Sequence, residues 1–303
     1  MDAFLEKKVF SWVPVVLVVL IAAGIFVTFS QWVYDDPFIT YRYARNLLNG
    51  LGFVYNPGER ILSTTTPLFT LILALVGLGI PDLHLLAVII GIVSLAIGGL
   101  FIFDLARTWN SHLAGWTGLL LYPTFPLLVS TLGSETPIYL ALCLGSFAFY
   151  ARKKLLASGL LIALATLARP DGVLILGILS LDFLIQKKRP VPWKPLFLVL
   201  IILISWMVFA WLYFGSPLPV TLAAKQQQGL MTISQGFARG FFTVIRGYDA
   251  WFYVEVVLAL IGVLLVVWKR RQWGILLIWP IVYFASYSVL GVTRYFWYYA
   301  PLV

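Results

Sequence analysis

The sequence predicts an all-α polytopic membrane protein, and three observations carry that expectation. Hydrophobic residues fill 61% of the 303 positions, charged residues fill 11%, and the mean hydropathy is +0.96, far from the makeup of a soluble domain. The apolar residues fall in long runs, several of which reach the roughly 20 residues that cross a bilayer as a helix. The basic residues gather between those runs, as Lys7-Lys8, Arg152-Lys153-Lys154, Lys187-Lys188-Arg189 and Lys269-Arg270-Arg271. Such clusters are the cytoplasmic excess of positive charge that orients membrane proteins. The net charge of +9 is therefore a topology signal, and no nucleic-acid module accompanies it.

The first span is expected over 12–30; it is too long for a signal-peptide core and no small-residue cleavage site follows. Further spans are expected at 85–105, 112–131, 136–151, 195–214, 251–268 and 273–291, with a last one starting near Tyr295. The run from Pro67 to Ile80 is short and carries Gly77 and Gly79. Only if it lies along the interface do all four basic clusters share one side, so a juxtamembrane helix is expected there. Leu155 to Ile185 lies between two basic clusters and is interrupted by Arg169-Pro170-Asp171-Gly172. It should rise and return with that turn at its summit, where irregular backbone requires protein or water around it. The N-terminus is then cytoplasmic, and a single transmembrane domain over 1–303 carries two longer outer loops, about 31–84 and 215–250. Because the chain stops at Val303, a few residues into an apolar aromatic run, a C-terminal truncation is expected.

On this topology Asp35, Asp36, Glu135, Arg169, Asp171, Lys225 and Arg294 converge on the outer face. Asp36 precedes Pro37, the arrangement of a cap followed by a first-turn proline. A helix start needs one capping carboxylate, which leaves Asp35 to point into a cavity as a base. The helix that follows is amphipathic, with Phe38, Tyr41, Ala44 and Leu48 on one stripe. Arg42 lies on the opposite stripe as a candidate substrate contact. Two readings are open for Glu135: an anion favoured in the first turn of a helix, or a second acidic group beside the base. Arg169 and Asp171 either pair with each other or Arg169 presents its planar fork to a phosphate. Lys225 and Arg294 are further candidate phosphate contacts, or solvated and snorkelling charges. Tyr295, Trp297, Tyr298 and Tyr299 read as an interfacial aromatic belt. Cys143 is the single cysteine, which excludes an internal disulfide and a thiolate metal cage. His84 and His112 lack a metal-ligand spacing, so neither a metal site nor a cofactor is predicted.

The block Asp-Asp-Pro-Phe-Ile-Thr-Tyr-Arg-Tyr-Ala-Arg-Asn-Leu at 35–47 is followed by Gly-Leu-Gly-Phe-Val-Tyr-Asn-Pro-Gly-Glu-Arg and Thr-Thr-Pro-Leu. Together these resemble membrane glycosyltransferases of the GT-C superfamily, and most of all the mycobacterial arabinofuranosyltransferase branch. Gly133-Ser134-Glu135-Thr136-Pro137, Ala168 to Gly172, Tyr213 to Lys225 and Arg294-Tyr295 follow in the order of that resemblance. It implies a GT-C-type helix bundle that inverts the anomeric carbon of a polyprenyl-phosphate-linked sugar at the outer face of the cytoplasmic membrane. It also implies a base at Asp35 or Asp36, a glycan, lipid or protein acceptor, and C-terminal spans and an outer domain that are absent here. The competing expectation is a transporter or lipid flippase without transferase activity. That reading predicts charges near mid-membrane and repeat symmetry, whereas the charges here gather at one face.

Overall fold

The computed structural model describes residues 2–186, 190–231, 234–247 and 250–302; the Lys187-Lys188-Arg189 cluster lies outside them. The regular structure of the described residues is helical, with one isolated antiparallel bridge, Gly236 to Thr293, and no strands. The helices are α1 (Asp2–Phe29), α2 (Pro37–Leu48), α3 (Pro67–Gly77), α4 (Leu83–Thr108), α5 (His112–Thr124), α6 (Pro126–Val129) and α7 (Thr136–Ala151). They continue with α8 (Leu155–Ala168), α9 (Val173–Ile185), α10 (Trp193–Phe214), α11 (Thr221–Gly229), α12 (Phe237–Arg246), α13 (Ala250–Lys269) and α14 (Gly274–Leu290). Four of the described helical segments are long and apolar enough to cross a bilayer: Trp12–Phe29, Leu83–Thr108, Trp193–Phe214 and Arg271–Leu290. The protein is an all-α membrane protein.

The chain forms two compact units. The first comprises the chain to Val173 together with Pro192–Pro219. Its hub is α4, which packs against α1, α5 and α7, while α7 leads on to α8 and α8 to α10. Small residues let these helices approach closely, as in many membrane interfaces. A Cβ on Gly98 of α4 would lie 2.5 Å from the Tyr122 ring of α5, and one on Gly159 of α8 would lie 3.1 Å from the Pro195 carbonyl of α10. Tyr41, Ala44, Phe69, Leu73, Leu83, Leu86 and Ala87 form a buried cluster that joins α2, α3 and α4. At 11 residues, or about 16 Å of rise, α3 is too short to cross a bilayer.

One expected span is divided. The run 112–131 does not form a continuous helix: α5 ends after 13 residues, Phe125 is extended, and the four-residue α6 follows. Phe125 precedes Pro126, and the proline ring disfavours helical backbone at the residue before it. Irregular backbone then runs to Glu135, and local hydroxyls satisfy several carbonyls of α6 and of this stretch. Ser130 Oγ donates to the Leu127 carbonyl, Thr131 Oγ1 to Leu128 and Ser134 Oγ to Thr131, at 2.7 to 2.8 Å.

The second unit comprises Leu174–Val191 and the described residues from Val220 onward. Its centre is aromatic. Phe237 stacks on Tyr299 with ring centroids 4.8 Å apart and meets Phe284 and Tyr287 of α14, while Trp279 Nε1 donates to the Pro301 carbonyl at 3.0 Å. The expected last span does not begin as an α-helix at Tyr295; the chain there makes two 3-10 turns, Phe296–Tyr298 and Ala300–Leu302.

Candidate active site

In the first unit two of the expected residues, Glu135 and Asp171, meet at Arg169. The helix α8 ends at Ala168, Arg169 is extended, and Pro170–Gly172 form a 3-10 turn before α9. Gly172 makes this turn possible, since a Cβ there would sit 2.5 Å from the Thr166 backbone nitrogen and 2.6 Å from the Ala165 carbonyl carbon. Arg169 is 4% exposed. Its Nε and Nη2 donate to the Asp171 carboxylate at 3.0 to 3.3 Å, and its Nη1 donates to Thr136 Oγ1 at 3.2 Å. Nη1 also lies 3.6 Å from the Glu135 carboxylate, and the guanidinium carbon sits 5.2 Å from the centroid of the Tyr139 ring. Asp171 and Glu135 are 7% and 14% exposed.

Arg169 makes the internal pair that the sequence offered as one alternative: its fork meets a carboxylate within its own turn and its remaining nitrogen meets the start of α7. Glu135 stands at the first turn of α7 without a capping hydrogen bond. There it gains from both the helix dipole and the guanidinium.

The aspartate pair is reached through the segment before α2. Trp32 Nε1 donates to the Ser130 carbonyl at 2.9 Å and Tyr41 Oη donates to the Gly133 carbonyl at 2.5 Å. These two clamps bind residues 32–41 to the loop that leads into Glu135. Asp36 is not the cap that the sequence suggested: its backbone is already helical and its side chain makes no capping bond. Asp35 opens the turn before it: its Oδ1 accepts from the Asp36 backbone nitrogen at 2.9 Å and its carbonyl accepts from the Phe38 backbone nitrogen at 3.0 Å, and Asp35 is exposed while Asp36 is half-buried. The Tyr34 phenol oxygen is buried. Burial first, then the Glu135 carboxylate and more weakly the Asp36 carboxylate, push its pKa well above the ordinary tyrosine range, partly offset by a hydrogen bond with Ser134. Tyr34 is therefore a neutral phenol. Burial and Glu135 also raise the pKa of Tyr41.

Arg42 is employed structurally. Its Nε donates to the Tyr55 carbonyl at 2.9 Å and its guanidinium lies over the Tyr55 ring, which pins the loop after α2. In the second unit, Lys225 Nζ sits 5.1 and 5.6 Å from the centroids of the Tyr298 and Tyr295 rings. Arg294 is exposed and donates through Nη1 to Gln235 Oε1 at 3.2 Å. Among the described residues no group of His, Cys, Asp and Glu side chains is arranged to hold a metal ion.

An apolar groove of about 390 Å³ opens beside this region, between α1 and the break that separates α5 from α6. It is lined by Ile25, Phe29, Trp32, Pro126, Val129 and Ser130 among others. Trp32, at one end of its lining, lies four residues before Asp36.

Over 283 residues the chain is 28% identical to the terminal beta-(1->2)-arabinofuranosyltransferase of Mycobacterium tuberculosis, in an alignment covering 80% of this chain and 42% of that protein. The chain is distantly related to a glycosyltransferase. It spans less than half the length of that relative. No protein-family model and no solved structure matches it.

The sequence did not single out Tyr34, Thr136 or Tyr139 as site residues. Thr136 was within sight, because it directly follows Glu135 in Gly-Ser-Glu-Thr-Pro. Tyr34 was not, since its neighbours Ser134 and Glu135 are about a hundred positions away in the chain.

Proposed function

We propose that the chain is the membrane-embedded part of an inverting glycosyltransferase. It would move a sugar from a polyprenyl-phosphate donor to an acceptor hydroxyl at the outer face of the cytoplasmic membrane. The observation that carries this reading is the acidic pair Glu135 and Asp171 held by the buried Arg169, with the aspartate-bearing segment clamped to the loop that leads into Glu135, in a chain distantly related to an arabinofuranosyltransferase.

Asp36 is the base in this reading, because it is half-buried in the segment clamped to the Glu135 loop, whereas Asp35 is exposed and its carboxylate accepts from the Asp36 backbone nitrogen. The acceptor oxygen forms its bond to the anomeric carbon as its proton passes to the Asp36 carboxylate. The bond from that carbon to the phosphate oxygen breaks on the opposite face, and the phosphate leaves with the electron pair. General-base assistance supplies roughly 10²- to 10⁴-fold. Glu135, oriented by Arg169, accepts a hydrogen bond from the acceptor or fixes its approach. Fixed positive charge at the leaving phosphate would stabilise the developing anion. The apolar groove beside α1 accommodates the hydrocarbon of the donor. Incubating the full-length protein with a panel of polyprenyl-phosphate sugars and scoring transfer tests the reading. Transport of an intact lipid with no transfer from any donor would replace it with the flippase alternative.

A further inference from the structure

The helix α12, with sequence Phe-Ala-Arg-Gly-Phe-Phe-Thr-Val-Ile-Arg, has an inner face that is accounted for and an outer face that is not. At 100° per residue, Phe237, Gly240, Phe241 and Val244 share one side. Phe237 packs on Phe284, Tyr287 and Tyr299, and Phe241 packs on Phe284. Gly240 admits Arg294, whose Cβ would lie 2.4 Å from a Cβ at that position. Arg239, Phe242 and Arg246 stand at i, i+3 and i+7 on the opposite side. Both arginines are exposed and Phe242 is 59% exposed. Neither arginine has an ion-pair partner among the described residues. Arg246 alone is explained by the negative end of the helix. Arg239, near the helix start, is not, and a large aromatic ring held between two solvated cations lacks a structural reason.

We propose that this outer face is a docking surface for the headgroups of anionic phospholipids in the adjacent leaflet. Each guanidinium offers paired N–H donors to a phosphodiester, and Phe242 between them enters the boundary between headgroups and acyl chains. Basic side chains are drawn to anionic headgroups, and an aromatic ring beside them fits the boundary below. The surface is separate from the residues assigned to transfer, so the proposal stands whether or not the transferase reading does.

The test uses the full-length protein in neutral detergent with an environment-sensitive fluorophore on Ala238→Cys, one turn before Phe242. Cys143 is buried and stays unlabelled. The probes are short-chain phosphatidylglycerol, short-chain phosphatidylcholine, inorganic phosphate and polyprenyl phosphate. The expected result is saturable binding with a preference for phosphatidylglycerol over phosphatidylcholine. A basic residue near an anionic surface contributes about five-fold. The Arg239→Gln/Arg246→Gln pair should therefore lower the preference roughly 30-fold, and about 1 M salt should erase it. The Arg239→Lys/Arg246→Lys pair should retain most of it, which separates lost charge from lost folding. Equal binding of the two phospholipids, an unchanged preference in the glutamine pair, or saturation by inorganic or polyprenyl phosphate where phosphatidylglycerol fails would overturn the proposal.

Discussion

Removing Arg169 discriminates between an arginine that organises the site and one that grips substrate. In Arg169→Met the Asp171 carboxylate, 7% exposed, loses three hydrogen bonds, while Glu135 and Thr136 lose their contacts with Nη1. Stranding a buried charge in this way costs about 3–5 kcal/mol, which corresponds to an apparent melting temperature lower by roughly 10 °C for a unit of this size. Replacing both partners, as Arg169→Met/Asp171→Leu, should recover part of the loss, because no charge is then left unpaired. The assay is thermal unfolding in detergent, followed by the decay of the monodisperse elution peak, with donor affinity measured below the transition. Wild-type thermal stability in the single variant, together with weakened donor affinity, would refute the reasoning and return Arg169 to the phosphate.

Asp36→Asn should lower sugar transfer by at least about 10²-fold, the share of a general base. Asp35→Asn should retain activity and lose at most the roughly 0.5–2 kcal/mol of a cap; the opposite ranking in a transfer assay reverses the assignment. Gly172→Ala should destabilise the first unit by about 1–3 kcal/mol, since the added methyl meets backbone and not a movable side chain; thermal unfolding reads this directly. For Tyr34 the folded pKa lies above the unfolded value of about 10, so the folded state keeps a proton that the unfolded chain releases. Its contribution to stability is complete below pH 10 and declines as the pH rises further. Tyr34→Phe should flatten that alkaline decline in a stability profile.

The helical class and the Arg-Pro-Asp-Gly turn were legible in the sequence, because each rests on local signals. Long apolar runs specify helices wherever they pack. A proline followed by an acid and a glycine specifies a turn on its own. The division of 112–131 was also written locally, in Pro123 and Pro126, but a hydropathy window counts both within an apolar stretch and so hides the break. The relative burial of Asp35 and Asp36 was not legible, because it depends on the clamps from Trp32 to Ser130 and from Tyr41 to Gly133, which link positions 98 and 92 residues apart. The Arg42 contact with the Tyr55 carbonyl was hidden for the same reason, since it forms only when the loop after α2 folds back.

The hydroxyl-stitched stretch between α6 and α7 carries a consequence for the medium in which chemistry would occur. Since α5 rises only about 20 Å, a backbone that satisfies its own carbonyls can dwell at a depth where unmet polar groups are prohibitive. Glu135 and its guanidinium neighbour then sit in surroundings drier than bulk water. Each charge there weighs more heavily on its neighbours, so a lone methyl in place of the Thr131 or Ser134 hydroxyl would perturb the acids without touching them.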